Sequence, residues 1–473
     1  MKQILLASIS ALALSACAAG PDFVAPVAPP KSAGAFIGTA SPAVSTAQAD
    51  NRWWQLYRDP TLDQLVADAL AANTDIRVAV ARLDRARASL RGVRSDRLPQ
   101  TTIGATGDYG RTPDSQRLPG SKAEGDSYDV GLSIAYEVDL AGRVRRNIEA
   151  ARGDVRAADA DADAVRVAVV AATTRAYVDA ASSAERLDVA KRIVELLDKS
   201  ATLTGKRVEA GRAAKLDLVR IQTLRDQRAA LVPAIEAQRQ AALFRLATLT
   251  GRTPQELPAI AAARTDTPHL DQPIPVGDGQ ALLARRPDVR AAEQRLAAAT
   301  ARIGVATAEL YPRISLGGSV GSSSTSIGDL FGGGALRFLL GPLISWSFPN
   351  QEAARARIAE SEADSRAALA QFDGTVLQAL EETETALAAY QGELQRRTAL
   401  QSARDGAEAA ARITRARQRE GQIDFLEVLD AERTFADTDA DLAASDARIA
   451  SAQIDLFRSL GGGWQQPAVI AAR

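Results

Sequence analysis

The stretch Tyr128-Asp129-Val130-Gly131-Leu132-Ser133-Ile134-Ala135-Tyr136-Glu137-Val138-Asp139 places a large apolar side chain at every second position and a small or charged one between. Successive side chains of a β-strand point to opposite faces, so this period of two predicts a strand with one unbroken apolar face over about 11 residues. A second such segment carries Phe338, Leu340, Pro342, Ile344, Trp346 and Phe348, alternating less cleanly with Arg337, Leu339, Gly341, Leu343, Ser345 and Ser347. Two weaker, glycine-rich strands are expected over 100–110 and 312–321, followed by polar loops over 111–126 and 322–336. An ordinary half-buried sheet shows the same alternation. A membrane strand, however, needs about 9 to 11 residues with one apolar face and aromatic side chains at both interfaces. Tyr109, Tyr128, Tyr136, Phe338, Trp346 and Phe348 are placed to form such girdles. Four strands cannot close a barrel and an open edge is not viable in lipid, so the strands must be shared among several copies.

Outward from these strands the chain repeats itself. Asp75-Ile76-Arg77 matches Asp288-Val289-Arg290, and Leu98-Pro99 matches Tyr311-Pro312, both 213 positions apart. Downstream the separation becomes 210, pairing Ile134 with Ile344, Tyr136 with Trp346, Ile148 with Ile358, Gly211 with Gly421, Leu216-Asp217 with Leu426-Glu427, and Gly251 with Gly461. The first unit is expected over 51–252 and the second over 279–463, with a proline-rich linker at 253–278 and a tail at 464–473.

Each unit ends in a helical hairpin, expected over 140–250 and 351–460. Residues 140–209 and 351–420 contain no proline, and each run would extend about 105 Å as a helix. In the second, Leu369, Phe372, Val376, Ala379, Thr383, Ala386 and Tyr390 recur at spacings of three and four, a coiled-coil seam. Return helices are expected over 214–249 and 424–460, capped by Gly251 and Gly461. The expected chain is a rod of paired antiparallel helices with two β-hairpins at one end.

The first 16 residues read as a secretory signal, with Lys2 and then an uncharged run ending at Leu14-Ser15-Ala16-Cys17. Cys17 is the only cysteine and lies where a bacterial lipoprotein signal places its acylated residue. Several acyl chains on one residue give stable anchoring. Residues 17–50, rich in Ala, Pro and Ser, read as an extended tether. With 57 basic and 58 acidic side chains the charge balance lacks the basic footprint of a nucleic-acid binder. No later segment approaches 18 consecutive apolar residues, so any membrane span must be built of strands.

This combination resembles the outer-membrane factor family, the TolC and OprM group, and in particular its NodT-type lipoprotein branch. The match is carried by the lipobox with Gly20-Pro21-Asp22-Phe23, by Trp53-Trp54 with Asp59, Leu62 and Leu65, and by Asn73-Thr74-Asp75. Tyr136-Glu137-Val138-Asp139-Leu140-Ala141-Gly142-Arg143, Arg285-Arg286-Pro287-Asp288-Val289 and Leu426-Glu427-Val428-Leu429-Asp430-Ala431 complete it. The resemblance implies a mainly α TolC-like fold: long antiparallel helices forming an α-barrel, and four strands per chain in a shared twelve-stranded barrel of a homotrimer. It also implies an inner-membrane pump of the resistance-nodulation-division type and a periplasmic membrane-fusion adaptor, met by the hairpin tips around Gly211 and Gly421.

Asp424, Glu427 and Asp430 follow the second tip at spacings of three, which by itself fits a solvated charged face. The resemblance gives Glu427 and Asp430 the places of carboxylates ringing a periplasmic constriction, and the three are expected to form a gate. Asp217 and Arg220 stand at the matching places of the first tip, and Arg417 and Arg419 are expected partners. Ile423 occupies a position where better-known relatives carry a latching arginine.

No chemistry competes with this reading. Asp159, Asp161 and Asp163 lack the glycine and glutamate of a calcium loop, having Ala164 and Val170 instead. Gly317, Gly318 and Gly321 precede no phosphate-loop lysine. The single histidine, His269, has no cysteine to join it in a zinc or nucleophilic site. The expected function is passive efflux of small toxic compounds, with no metal and no cofactor beyond the lipid on Cys17. The alternatives are the same channel carrying metal ions or a secreted polypeptide, and a non-conducting coiled-coil spacer.

Overall fold

The computed structural model describes residues 18–27, 30–48, 51–117, 119–120, 122–270, 272–332 and 334–462. Cys17, the signal segment and the tail lie outside the described residues. No described helix is long and apolar enough to cross a membrane.

The chain divides into two compact units. One gathers 1–27, 82–159 and 291–373; the other gathers 28–81, 160–290 and 374–473. Nine helices of seven or more residues are described: α1 (Pro60–Ala72), α2 (Thr74–Ser95), α3 (Arg143–Glu209), α4 (Lys215–Ala229), α5 (Val232–Leu249), α6 (Gly279–Arg285), α7 (Pro287–Ala308), α8 (Glu352–Arg419) and α9 (Phe425–Ser459). The α3 helix has 67 residues and α8 has 68, each about 100 Å at 1.5 Å per residue.

The first unit holds an antiparallel sheet of β2 (Gln100–Arg111), β3 (Glu124–Val138), β5 (Arg313–Ser324) and β6 (Leu336–Ser345), in the order β2-β3-β5-β6. Both strand-bearing segments are thus hairpins, and β3 pairs with β5 to join them. The strands differ from expectation at their ends: β3 begins before Tyr128, β5 continues to Ser324, and β6 stops at Ser345, ahead of Pro349. A small core of Leu90, Val144, Ile148 and Ala151 ties α2 to α3 in this unit.

The residues after β3 show why a strand becomes a helix there. Asp139 receives the backbone N–H groups of Val144 (3.0 Å) and Arg145 (2.9 Å), donors that an α-helix leaves unpaired at its start. Arg143 grips Glu137 through two parallel bonds of 2.8 and 2.7 Å. Gly142 takes a φ of +77°, which an L-residue adopts only under strain. Glu137, Asp139, Gly142 and Arg143 are thereby explained as one junction.

In the second unit the core is built on Trp53, fully buried, stacked on Phe457 at 4.7 Å and meeting Trp54 edge-on at 6.3 Å. Burial of a ring system of this size contributes roughly 4 to 6 kcal/mol by area. Asp59 caps α1 by accepting from Thr61 and Leu62, and its other oxygen accepts from Tyr177 Oη (2.7 Å) and Arg264 Nη1 (2.8 Å). Burial pushes the Asp59 pKa up, but the bonds from Tyr177, Arg264 and the two backbone amides outweigh it, leaving a net lowering. Arg286 is buried and bonds Asp288, Glu382 and the Ser459 carbonyl. Of the seam residues, Phe372, Val376, Ala379, Thr383, Ala386 and Tyr390 are buried, while Leu369 is exposed.

Two expectations are corrected. The proline-rich segment before residue 51 is not simply an extended tether. It forms 3₁₀ turns at Pro30–Ala33 and Ile37–Ala40, buries Phe36 and Val44, and supplies β1 (Val44–Ser45). This strand pairs in parallel with β4 (Ile274–Pro275) of the linker, so the two proline-rich stretches hold each other. The return helix of the first hairpin is not continuous either: it breaks at Ala230 and Leu231 into α4 and α5. Pro233 lacks an N–H and its ring clashes with the carbonyl four residues earlier, whereas the equivalent position in the unbroken α9 is Ala443.

Candidate functional site

The strand register sorts the side chains of the sheet into two unlike faces. One face carries the rows Ile103-Leu132-Val320-Phe338 and Thr101-Ile134-Gly318-Leu340, with Val130, Tyr136, Leu316, Pro342 and Ile344 in neighbouring rows. Phe338 and Leu340 on this face are each 82% exposed, which water would penalise in an isolated chain. The opposite face carries Gly104-Gly131-Gly321-Arg337 and Thr102-Ser133-Ser319-Leu339. It is small and polar, broken by Leu339 and Leu343. β2 and β6 each have one edge unpaired within the chain.

The polar face also holds an ion pair that the sequence reading missed. Arg337 reaches across β5 to Asp129, with Nη2 at 2.6 Å and Nε at 2.9 Å from its carboxylate. It passes over Gly131, where a Cβ would meet Arg337 Nη2 at 3.6 Å, an ordinary contact; at Gly321 a Cβ would lie 2.6 Å from the Val130 carbonyl, so the close approach of β5 to β3 there admits only glycine. The facing glycines 131 and 321 were the available signal, but only the register brings them opposite each other.

Of the aromatic residues, Tyr109, Tyr128, Tyr136 and Phe338 share the apolar face by register. Tyr109 and Tyr128 sit toward the loop end of the sheet and Tyr136 toward the helix end. Phe338 pairs through Val320 with Leu132, midway between the rows of Tyr128 and Tyr136. Trp346 and Phe348 lie just beyond β6, stacked at 4.8 Å, and Trp346 Nε1 donates to the Leu310 carbonyl.

At the hairpin tips two identical turns occur 210 positions apart. Gly211 (φ +70°) follows α3 and Gly421 (φ +76°) follows α8; the next residues, Arg212 and Gln422, return N–H bonds to the Arg207 and Arg417 carbonyls. This is the helix-ending loop that needs a left-handed residue. Arg207 Nη2 also reaches the Gln418 carbonyl, joining the turns at 3.5 Å. Asp424 is the N-cap of α9 and accepts from Phe425 N–H at 2.6 Å. Glu427 and Asp430 lie in the first two turns of α9, both exposed. Arg220, Arg417 and Arg419 are exposed and Asp217 half-buried, and among the described residues none of these four forms an ion pair with the three carboxylates.

The carboxylate that is paired at this end is a different one. Glu432 on α9 is 2% exposed and its oxygen lies 2.7 Å from Arg415 Nε of α8. The contact is an ion pair without hydrogen-bond alignment, since neither Glu432 oxygen receives a donor among the described residues. Burial pushes the Glu432 pKa up, and the attraction of Arg415 only partly offsets this. Below the tips, Ile193, Leu197, Ile221, Leu224 and Ala436 pack α3, α4 and α9 together.

A sheet with one greasy and one polar face, joined to helices of this length, is the architecture of a membrane conduit, and sequence comparison decides which kind. The model of the outer membrane efflux protein family matches residues 65–252 and again 279–462. The chain belongs to this family. It is 34% identical over 463 residues to the outer membrane protein OprJ of Pseudomonas aeruginosa, covering 97% of this chain and 96% of that one. It is 30% identical to the antibiotic efflux pump outer membrane protein ArpC of Pseudomonas putida, covering 98% of this chain and 96% of that one. Among solved structures it superposes on the outer-membrane channel OprN with a TM-score of 0.88, 37% identity and coverage of 95% and 100% of the two chains. The chain is therefore an outer-membrane efflux channel with a mainly helical TolC-like fold and four antiparallel strands. It is a component of an efflux pump system, and a conduit rather than an enzyme.

Proposed function

We propose that three copies assemble with their sheets edge to edge into one twelve-stranded barrel, the unpaired edges of β2 and β6 closing on neighbouring copies. The observation that carries this reading is the segregation of the two sheet faces. Hydrocarbon tolerates no unpaired backbone groups, so a four-stranded sheet with an exposed apolar face requires partners at both edges. The face with Phe338 and Leu340 then meets lipid, and the Gly, Ser and Thr face with Arg337 and Asp129 lines a water-filled lumen.

In this reading the tips around Gly211 and Gly421 meet a periplasmic adaptor, which joins the channel to an inner-membrane pump of the resistance-nodulation-division type. The cargo is small toxic amphiphiles, in keeping with the similarity to an antibiotic efflux protein. Glu427 and Asp430, exposed and outside any ion pair among the described residues, line the periplasmic constriction. Six carboxylates in a narrow ring favour cations and repel one another until neutralised. Asp424 acts there mainly as the cap of α9. Cys17 carries the lipid that holds the chain to the outer membrane.

Planar-bilayer recording of the purified protein tests this. Stable pores are expected, with a cation preference that falls in the Glu427→Ala/Asp430→Ala variant. Membrane-inserted protein without conductance in either form would leave the spacer reading, and an unchanged preference would remove the gate.

A further inference from the structure

We propose that Arg146, Gly142 and Gly304 form a docking cradle for residues 18–22, which fixes the lipid attachment point against the strand-to-helix junction. The cradle holds the bilayer anchor next to the strands that must enter the bilayer. The role rests on the reading of Cys17 as the acylated residue; the contacts of the cradle do not.

The chemistry of the cradle is that of a buried guanidinium. Arg146 is 4% exposed, and such a cation is tolerated only where its donors are satisfied. Three of its four acceptors come from the N-terminal segment. Nε donates to the Ala19 carbonyl at 3.2 Å, and Nη2 donates to the Gly20 carbonyl at 3.3 Å and to Asp22 Oδ1 at 2.6 Å. Nη1 donates to Glu149 at 2.9 Å. The Ala19 N–H in turn donates to the Ala141 carbonyl at 2.9 Å. A fork of donors reading two carbonyls and a carboxylate is a task for arginine that lysine cannot copy.

Shape makes the same point independently. Gly20 has a φ of +83°, and a Cβ there would lie 2.5 Å from Gly304 Cα. One on Gly304 would lie 2.7 Å from both the Ala19 carbonyl and Arg146 Cγ, and one on Gly142 would lie 2.8 Å from Ala18 Cα. Glycines from two distant parts of the sequence, Gly142 and Gly304, converge on the five residues, which bring a third in Gly20, and at each of the three a side chain would collide with backbone. Arg146 and Gly142 belong to the first repeat and Gly304 to α7 of the second, so the segment straps the two repeats together.

Connectivity supplies the consequence. Cys17 is one residue before Ala18, and Ala141 is three residues beyond Val138, the end of β3, which bounds that gap at about 10 Å. Undocked, about 12 residues would separate the anchor from the first ordered turn at Pro30–Ala33, a coil wandering over roughly 20 Å. Docking shortens the free tether to about one residue and raises the effective concentration of the strands at the membrane.

The test compares full-length wild type, Arg146→Ala, Cys17→Ser exported by a cleavable non-lipoprotein signal, and the double variant. Acylation is read by intact mass, and assembly as the rate at which SDS-resistant oligomer appears in the outer membrane. Arg146→Ala is expected to be fully acylated and to assemble about tenfold more slowly. Cys17→Ser is expected to slow equally, and the double variant to be no slower than either. Gly304→Val, which blocks the same contact without removing a charge, should match Arg146→Ala while keeping wild-type helical circular dichroism. Equal slowing by Arg146→Ala with and without the lipid would overturn the anchoring role and leave only packing, as would wild-type assembly of acylated Arg146→Ala. An unmodified Cys17 in the wild-type mass overturns the lipid reading itself, a result separable from all of these.

Discussion

Removing the Arg415 guanidinium should loosen the second hairpin tip far more at neutral than at acid pH. Glu432 is 2% exposed and Arg415 is its ion-pair partner, at 2.7 Å. Stripping the partner from a buried pair costs about 3 to 5 kcal/mol when the orphaned charge cannot escape. Here it can escape by taking up a proton, and the cost of protonating an ordinary glutamate at pH 7 sets a ceiling of about 3.7 kcal/mol. The ceiling falls by about 1.4 kcal/mol per pH unit, to about 1 kcal/mol at pH 5. Because Arg415 is itself partly exposed, about 3 kcal/mol at pH 7 is the expected loss in Arg415→Ala. Native-state hydrogen exchange reads it directly, as a roughly 100-fold faster exchange of amides over residues 425–435 after correction for intrinsic rates. Adding Glu432→Gln to Arg415→Ala should restore most of the protection at pH 7. The wild type should follow the same sign: burial raises the Glu432 pKa, so its favourable contribution is complete below the ordinary glutamate range and lost as pH rises through the raised value. Tip amides are therefore better protected near pH 5 than at pH 7.5. Equal protection in Arg415→Ala and wild type at pH 7, or no recovery on adding Glu432→Gln, would refute the reasoning.

Three further outcomes are expected. Leu340→Arg, on the apolar sheet face, should cost about 2 to 4 kcal/mol of folding stability in lipid vesicles, whereas Leu339→Arg on the opposite face should cost less than about 1 kcal/mol; a reversed order would mean that the faces are misassigned. Gly321→Val brings a Cβ to 2.6 Å of the Val130 carbonyl, so the β3–β5 pairing should fail and SDS-resistant oligomer should not form; Gly341→Val, with open space around it, should assemble normally. Trp53→Ala removes a fully buried ring stacked on Phe457 and should destabilise the second unit by about 3 to 5 kcal/mol in denaturant titration, with conductance of the assembled protein unchanged.

Local pattern determined much of this protein. Strand alternation, helix length and the left-handed glycines Gly211, Gly251, Gly421 and Gly461 each depend on a few neighbouring residues, so they are written along the chain. The exposed Phe338 and Leu340 and the buried Val376 and Ala379 follow from periods of two and near 3.5. The break ahead of Pro233 is equally local, following from that residue's missing N–H and its ring.

Tertiary structure decided which charges matter. Asp424, Glu427 and Asp430 look alike in sequence and all three are exposed, yet only Asp424 caps a helix, while the buried carboxylate is Glu432, inconspicuous among the chain's 58 acidic residues. Its partner, like Arg337 for Asp129, Arg264 for Asp59 and Arg146 for residues 19–22, stands on another element. Periodicity reports how a residue relates to its own helix or strand. It carries nothing about which distant backbone will approach closely enough to replace the water around a charge, and that exchange of water for a fixed partner is settled only when the elements pack.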